Sequence, residues 1–395
     1  MAGIRFHLGL IGGMLVASGA LVSPATARAQ AAASDSGSLL DSVAVRARLV
    51  AGRLESQGAQ HARPGRQEPG IAQYTEGVTQ LTRHLFDSAM VNLRAAVTVG
   101  PNTARYHGDL AYAYAGLQRW DDAGTEYATA IRLQGANPWY YVGLGAVRSA
   151  QERWAEAGAN FALAKATDST ILDPKVIAAA SYVYTRDGNE QQLLEWSEAG
   201  TRLFPNEPGA WLRVAMILRQ RDATQGLAAI RRYYALQPTD RLGQAIFALY
   251  MMEDSTRHDS AIALAHEASR DSALHQYAST VFFHVGARLF NAKQYDSSSQ
   301  VLAEGRAITS AGLNRMRYSR YLGLANLMRI PTLYNDATQR KDCARARLLD
   351  SLLTSVNDDI TATVQLDSAQ SAQILTQYVP QLRQRIDAFK NECRN

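Results

Sequence analysis

The stretch WDDAGTEYATAIRL, Trp120 to Leu133, decides the fold because the same phrase recurs on either side of it. Upstream, Phe86-Asp87-Ser88-Ala89 leads to Leu93 and Ala96; downstream, Trp154-Ala155-Glu156-Ala157 leads to Phe161 and Ala164. The aromatic leaders stand at 86, 120 and 154, 34 residues apart. Small residues keep the same step at 89, 123 and 157, and again at 96, 130 and 164. A fixed period of this size marks a repeat architecture, in which each unit packs only on its neighbours. Within the phrase, small and apolar residues fall at i, i+4 and i+7, one face of a helix. Gly77, Ala111 and Gly145 carry the step into the preceding half-unit. Each period therefore holds two helices, with small residues where they cross and an aromatic in the turn.

In this respect the sequence resembles the tetratricopeptide repeat (TPR) family. That pattern runs from a large residue through Leu-Gly, Tyr, Ala, an aromatic and Ala to Pro. The third repeat matches it through Tyr141, Leu144-Gly145, Ala157, Phe161 and Ala164; the second through Leu110-Ala111, Tyr114, Ala123, Tyr127 and Ala130. The first supplies Gly77, Ala89, Leu93, Ala96 and Pro101. The resemblance implies an all-α, right-handed superhelical solenoid of helix–turn–helix repeats. Downstream the spacing slips to 35 around Trp196 and Ala199, and the phrase returns at Asp259-Ser260-Ala261 and at Tyr295-Asp296. The expectation is seven repeats over 70–310. A degenerate eighth, stretched by an insertion near Pro331, and C-terminal capping helices follow over 311–395.

The ends read differently. In residues 1–29, Arg5 and His7 precede an apolar run from Leu8 to Val22, then Pro24 and the small-x-small sites Ala25-Thr26-Ala27 and Ala27-Arg28-Ala29. That is the layout of a secretory signal peptide. The run falls short of the roughly 20 residues that span a bilayer. No cysteine near the site offers a lipid attachment point, and no later segment is long and apolar enough for a membrane span. The expected mature chain is soluble and exported, to the periplasm or beyond. Residues 30–69 hold an amphipathic stretch, Leu39 to Leu54, and a Gly-, Pro-, Gln- and Arg-rich linker, Gln57 to Gly70.

The net charge of +5 arises from 41 basic and 36 acidic residues. Only five of the basic residues are lysine. The arginines are scattered and not clustered as a nucleic-acid footprint requires, so no nucleic-acid partner is expected. Asp-Ser recurs at 87, 168, 254, 259, 271, 296, 350 and 367. The pairs read as helix caps, because a short polar side chain accepts from the first free backbone N–H groups. Asn357-Asp358-Asp359 is a stretch that could end a helix early.

No motif for chemistry emerges. Gly143-Leu144-Gly145 lacks the strand and the further glycine of a nucleotide loop. His258, His266, His275 and His284 are spaced by eight or nine, not by the three or four of a helical metal site. The sequence thus calls for no catalysis, metal or cofactor. What is left is binding. The first helices of successive TPR units line a concave groove, and the inward positions are read as Tyr74, Arg105, Tyr112, Trp139, Tyr184, Met216, Arg219, Tyr250 and Phe283. These suit a protein or peptide segment, although large aromatics on that face equally suit packing between repeats. Tyr74 and Val78 stand where the carboxylate-clamp version of the family needs Lys and Asn. The reading is a non-catalytic interaction scaffold of the bacterial envelope, its oligomeric state open. The alternatives are a structural subunit docked by its convex face or C-terminal cap, and, more remotely, a helical-repeat hydrolase of envelope polymers. In an oxidising compartment Cys343 and Cys393 are expected to form a disulfide across a terminal hairpin.

The signal reading predicts a mature chain beginning near Arg28 or Gln30. Intact-mass measurement of exported material tests it; a mass that includes Met1 through Ala29 would overturn it.

Overall fold

A computed structural model describes residues 68–393; the signal segment and the Leu39–Leu54 stretch lie outside the described residues. Every element within them is helical. The chain divides into two compact units between Asn189 and Glu190.

In the first unit α1 (Ile71–Leu81) pairs with α2 (Phe86–Val99), α3 (Ala104–Gly116) with α4 (Trp120–Leu133), and α5 (Pro138–Ala150) with α6 (Trp154–Thr167). α7 (Pro174–Asp187) follows a 3-10 turn, Ser169–Ile171. These are TPR-like hairpins, and their turns share one backbone. His84, Gln118 and Glu152 all take a left-handed φ, of 56°, 58° and 58°. Each lies two residues before the aromatic leader. Around Gln118, the Arg119 N–H reaches the Tyr114 carbonyl at 2.9 Å and the Gln118 N–H reaches Ala115 at 3.0 Å. This six-residue closure satisfies carbonyls that the helix end would otherwise strand. Asn137 and Asp173 cap α5 and α7 through the N–H groups of Trp139 and Val176, each with proline at the first helical position.

The small residues do what their spacing implies. Ala89, Ala123, Ala157, Ala96, Ala130 and Ala164 have no exposed surface. Opposite them, a Cβ on Gly77 would stand 2.7 Å from Leu93 Cγ. At the start of the described residues Glu68 forms an ion pair with Arg105 and the Pro69 carbonyl accepts from Tyr106 at 3.1 Å.

The second unit opens with α8 (Glu190–Leu203) and stacks α9 (Pro208–Leu218) on α10 (Ala223–Leu236), α11 (Arg241–Met251) on α12 (His258–Ser269), and α13 (His275–Asn291) on α14 (Tyr295–Ile308). Two helices then break the pattern. α15 (Leu313–Arg340) is 28 residues long and runs through Pro331, where an insertion was expected. α16 (Ala344–Thr361) continues through Asn357-Asp358-Asp359, the stretch that could have ended it early. Val356 and Ile360 keep its apolar stripe buried across that triplet, and Arg306 of α14 meets the Asp359 carboxylate at 2.7 Å. Tertiary partners thus override the local preference of Asn and Asp for helix ends.

The chain returns through a 3-10 turn, Val364–Leu366, into α17 (Ser368–Gln373), a π turn at Ile374–Tyr378, and α18 (Val379–Glu392). The π turn surrounds Thr376, the residue whose carbonyl a proline at 380 can neither hydrogen-bond nor approach closely. Leu382, Ile386 and Phe389 of α18 join Leu349, Leu353 and Val356 of α16 in a second apolar cluster. Asp168, Asp254, Asp271 and Asp367 are indeed caps, accepting from Thr170, Thr256, Ala273 and Gln370. Asp87, Asp259, Asp296 and Asp350 are not: the first three lie inside the first turns of α2, α12 and α14, and Asp350 sits within α16 and pairs with Lys390 at 3.0 Å and with Arg383, both on α18.

Cys343 and Cys393 are joined, with their Cα atoms 5.6 Å apart, across a sequence separation of 50. In the chain-entropy account a loop of this length is worth about 4 kcal/mol. Reduction, or Cys393→Ser, should therefore lower the unfolding free energy of the second unit, read by denaturant titration, by up to that amount. Non-reducing peptide mapping should recover the two cysteines as one linked pair; two alkylatable thiols in native, oxidised protein would overturn it.

Candidate functional site

The residues read as groove-lining fall into two sets, one in each unit. In the first unit Tyr74 on α1 stacks on Tyr106 of α3, ring centroids 4.7 Å apart, and donates its hydroxyl to Asp109 at 2.8 Å. Arg105 lies 5.2 Å from the Tyr74 ring centroid and 5.7 Å from that of Tyr106, with Glu68 as its ionic partner. Burial, reinforced by the Glu68 carboxylate, pushes the Tyr106 phenol up to about 12. The structure thus brings Tyr74 and Arg105 into one polar knot, together with Tyr106, Asp109 and Glu68, which the sequence reading did not single out. Tyr112 meets Phe86 edge-on at 5.7 Å, and Trp139 is buried at the start of α5.

Tyr184 has a different neighbour. Its hydroxyl donates to the Gly158 carbonyl at 2.8 Å, and a Cβ on Gly158 would stand 2.8 Å from its ring. In the second unit Tyr250 repeats the arrangement. Its hydroxyl reaches the Ala215 carbonyl at 2.5 Å, and a Cβ on Gly226 would stand 1.9 Å from the hydroxyl oxygen. Burial raises the Tyr250 phenol well above its ordinary range. Both tyrosines are seated on a glycine of an earlier second helix. Met216 packs half-buried against the unit's core, and Arg219 ends α9, half-buried. Phe283 is half-buried, edge-on to Tyr318 and Tyr321 at 5.2 and 5.4 Å.

One half-exposed group was missed. Tyr182 of α7 meets Trp154 edge-on at 5.8 Å, and the Arg186 guanidinium lies 5.0 Å from the Trp154 ring centroid. Its signal was present but displaced. Pro138 and Pro174, which open α5 and α7, are 36 residues apart, where α3 to α5 is 34. Adding that two-residue step to the register of Tyr112 leads through Ala146 to Tyr182, not to Tyr184.

The four spaced histidines have the following surroundings. His266 pairs with Glu304 at 3.2 Å, His275 reaches the Ser269 carbonyl at 3.0 Å, His284 lies 3.5 Å from Glu253, and His258 is buried.

No protein-family model matches the sequence, and no curated protein matches it. Among solved structures the chain is similar to YrrB, a TPR protein with an unusual peptide-binding site, at 16% identity over 47% of this chain and 95% of that one, TM-score 0.42. It is similar to Pseudomonas aeruginosa PilF at 21% identity over 51% of this chain and 90% of that one, TM-score 0.40. The C-terminal part of a TPR repeat-containing protein from Cytophaga hutchinsonii is similar at 13% identity over 75% and 95%, TM-score 0.39. These are likenesses of fold.

Two histidines give the units opposite pH responses. Burial alone would lower His107, but Glu126 at 2.6 Å and the Pro101 carbonyl at 2.9 Å hold it above its ordinary value. Its stabilisation is complete below the unfolded value of about 6.5 and is lost as pH rises through the folded one. His284 is lowered, first by burial and then by Arg288 and His258 against the opposing pull of Glu253. Its unfolded form takes up a proton more readily, so stability is lost as pH falls below about 6.5. Between pH 7.5 and 5.5, hydrogen-exchange protection factors should rise in α3 and fall in α13. Glu126→Gln should flatten the first response, and His284→Gln the second. The same sign in both helices would refute the assignment.

Proposed function

We propose that the protein is a non-catalytic interaction scaffold that takes a segment of a partner protein on the first-helix side of its hairpins, in the bacterial envelope. The group Tyr182, Trp154 and Arg186 carries the reading. Tyrosine, tryptophan and arginine are the residues most enriched among those that dominate binding energy. Here they lie together, half-exposed or exposed. Tyr74, Arg105, Tyr112 and Trp139 stand on the preceding first helices of the same unit; Tyr74, Tyr112 and Trp139, being buried, serve as supports for the surface. The second unit, taken by itself, offers Met216, Arg219 and Phe283 on its own first helices, with Tyr250 as a packing support. Export is supported by the signal-like leader and by the Cys343–Cys393 bond. No helix among the described residues is long and apolar enough to cross a membrane.

One observation favours the outer-face alternative. Val91 on α2 and Leu163 on α6 are 62% and 50% exposed, on second helices. Photo-crosslinking residues placed at 182, at the exposed position 175 seven residues before it on the same face of α7, and at 91 and 163 separate the two. Partner adducts from positions 182 and 175, in envelope preparations, are the expected result, and Tyr182→Ala should weaken capture by about tenfold or more with little change in melting. Adducts from 91 and 163 alone would transfer the function to the outer face.

A further inference from the structure

The first helices of the first unit are not equally open. α3 is buried without a break from Tyr106 to Ala115, ten residues that point in every direction around its axis. Neighbouring helices account for three of its sides: α1 and α5 flank it, and α2 and α4 lie behind. α7 shows the fourth side. With the two-residue step allowed for, Arg105, Asp109 and Tyr112 of α3 correspond to Trp139, Gly143 and Ala146 of α5, and to Lys175, Ala179 and Tyr182 of α7. On α7 all three are exposed or half-exposed. On α3 and α5 every one but Arg105 is buried, with Asp109 only 3% exposed and Tyr112 and Trp139 each 5%. The same side is thus open on one first helix and covered on the two before it.

The chain itself carries a segment of matching size, pattern and charge just before α1. Leu40, Val43, Ala47, Val50 and Leu54 follow one another at alternating steps of three and four, which is one apolar helix face. Arg46 and Arg53 border that face, and with Arg48 they outweigh the single Asp41. As a helix, Leu39–Leu54 is about 24 Å long. Three first helices side by side, at about 10 Å per step, present a face of about that width. The connection also reaches. Between Leu54 and Glu68 lie residues 55–67, which extend to about 43 Å at most. Glu68 is held by Arg105, the residue that begins the covered row on α3, and Pro69 by Tyr106. The chain therefore enters the described fold at the edge of the covered side.

We propose that Leu39–Leu54 lies across the first-helix side of α1, α3 and α5, with its apolar face on Tyr112, Trp139 and Ala146 and a bordering arginine at Asp109. Burying a carboxylate is tolerated where it is paired and hydrogen-bonded, and the arginine fork adds both charge and donors to the hydroxyl that Tyr74 already gives. The covered row stops before α7, so Lys175 and Tyr182 stay open. The segment concerns the same side of the hairpins as the partner reading and deepens it, because a partner segment that extends beyond α7 toward α1 has to displace it. Its own position does not depend on that reading.

Hydroxyl-radical footprinting of the full mature chain tests this, because it reads the accessibility of single side chains. In the double variant Val43→Asp, Val50→Asp, oxidation of Tyr112 and Trp139 should rise severalfold while that of Tyr182 stays the same. A photo-crosslinking residue at position 50 of the otherwise unaltered chain gives a second measurement that needs no disruptive substitution. Adducts within one chain, to α1, α3 or α5, are the expected result. Unchanged protection of Tyr112 and Trp139 in the double variant, or adducts confined to second helices, would overturn the proposal. Adducts that join two chains would overturn it in favour of a second copy on this side. No partner takes part in these readouts, so this contact and the partner site at Tyr182 fail independently.

Discussion

Two helices can lie close along their length only where one presents little more than a methyl group at the crossing. That constraint underlies every hairpin here. Ala89 and Ala96 on α2, and their counterparts 34 and 68 residues later, are wholly buried because the facing helix leaves them no room. Gly77 is smaller still because Leu93 fills the space opposite. The left-handed residue at 84, 118 and 152 then fixes the angle at which the second helix returns. None of the three is glycine, although that conformation costs most side chains roughly 1–2 kcal/mol. The six-residue closure and the aromatic two positions on offset that cost. A hairpin is therefore set by three local decisions made in the same order each time.

Packing between hairpins uses a second device, and it competes with function for the same residue type. Tyr184 and Tyr250 rest on glycines and donate to backbone carbonyls, so their hydroxyls are satisfied without water. Tyr74 instead donates to a buried carboxylate, and Tyr182 remains half-exposed beside Trp154 and Arg186. Tyrosine serves in all these places because it combines a large apolar ring with one donor. Tyr184 and Tyr250 are supports because a glycine stands beneath each ring. The glycine at 158 and the one at 226 are near those rings in space, but not in any short window of sequence.

This explains what could be read in the chain. The all-α repeat fold was legible because period and residue size are local properties, repeated often enough to exclude coincidence. The caps at Asp168, Asp254, Asp271 and Asp367 were legible for the same reason. The register of the surface was not. Two extra residues in the Ser169–Ile171 turn shift everything after them, and hydrophobic periodicity tolerates a two-residue slip between helices. Asp350 was read as a cap because its neighbour is serine; its partners Lys390 and Arg383 lie 40 and 33 residues away and have no local signature. The helix through Asp358 and Asp359 was obscured in the same way by Arg306.

The helices after Gly312 show how an irregular segment can still be fixed. α17 and α18 contain a π turn and a proline, and neither follows the repeat. Their position rests on burial first. Leu382, Ile386 and Phe389 are each worth about 1.5–3 kcal/mol on entering an apolar cluster. Those three together exceed the roughly 4 kcal/mol of a disulfide closing this loop. The bond is thus an addition to a packed interface and not its substitute. Direction comes from elsewhere: Arg320 reaches Ser371 at 2.7 Å at the start of the return path, and Asp350 holds Lys390 near its end. With one polar tie at each end and apolar contacts between, α18 cannot slide by a turn without losing the Asp350–Lys390 pairing.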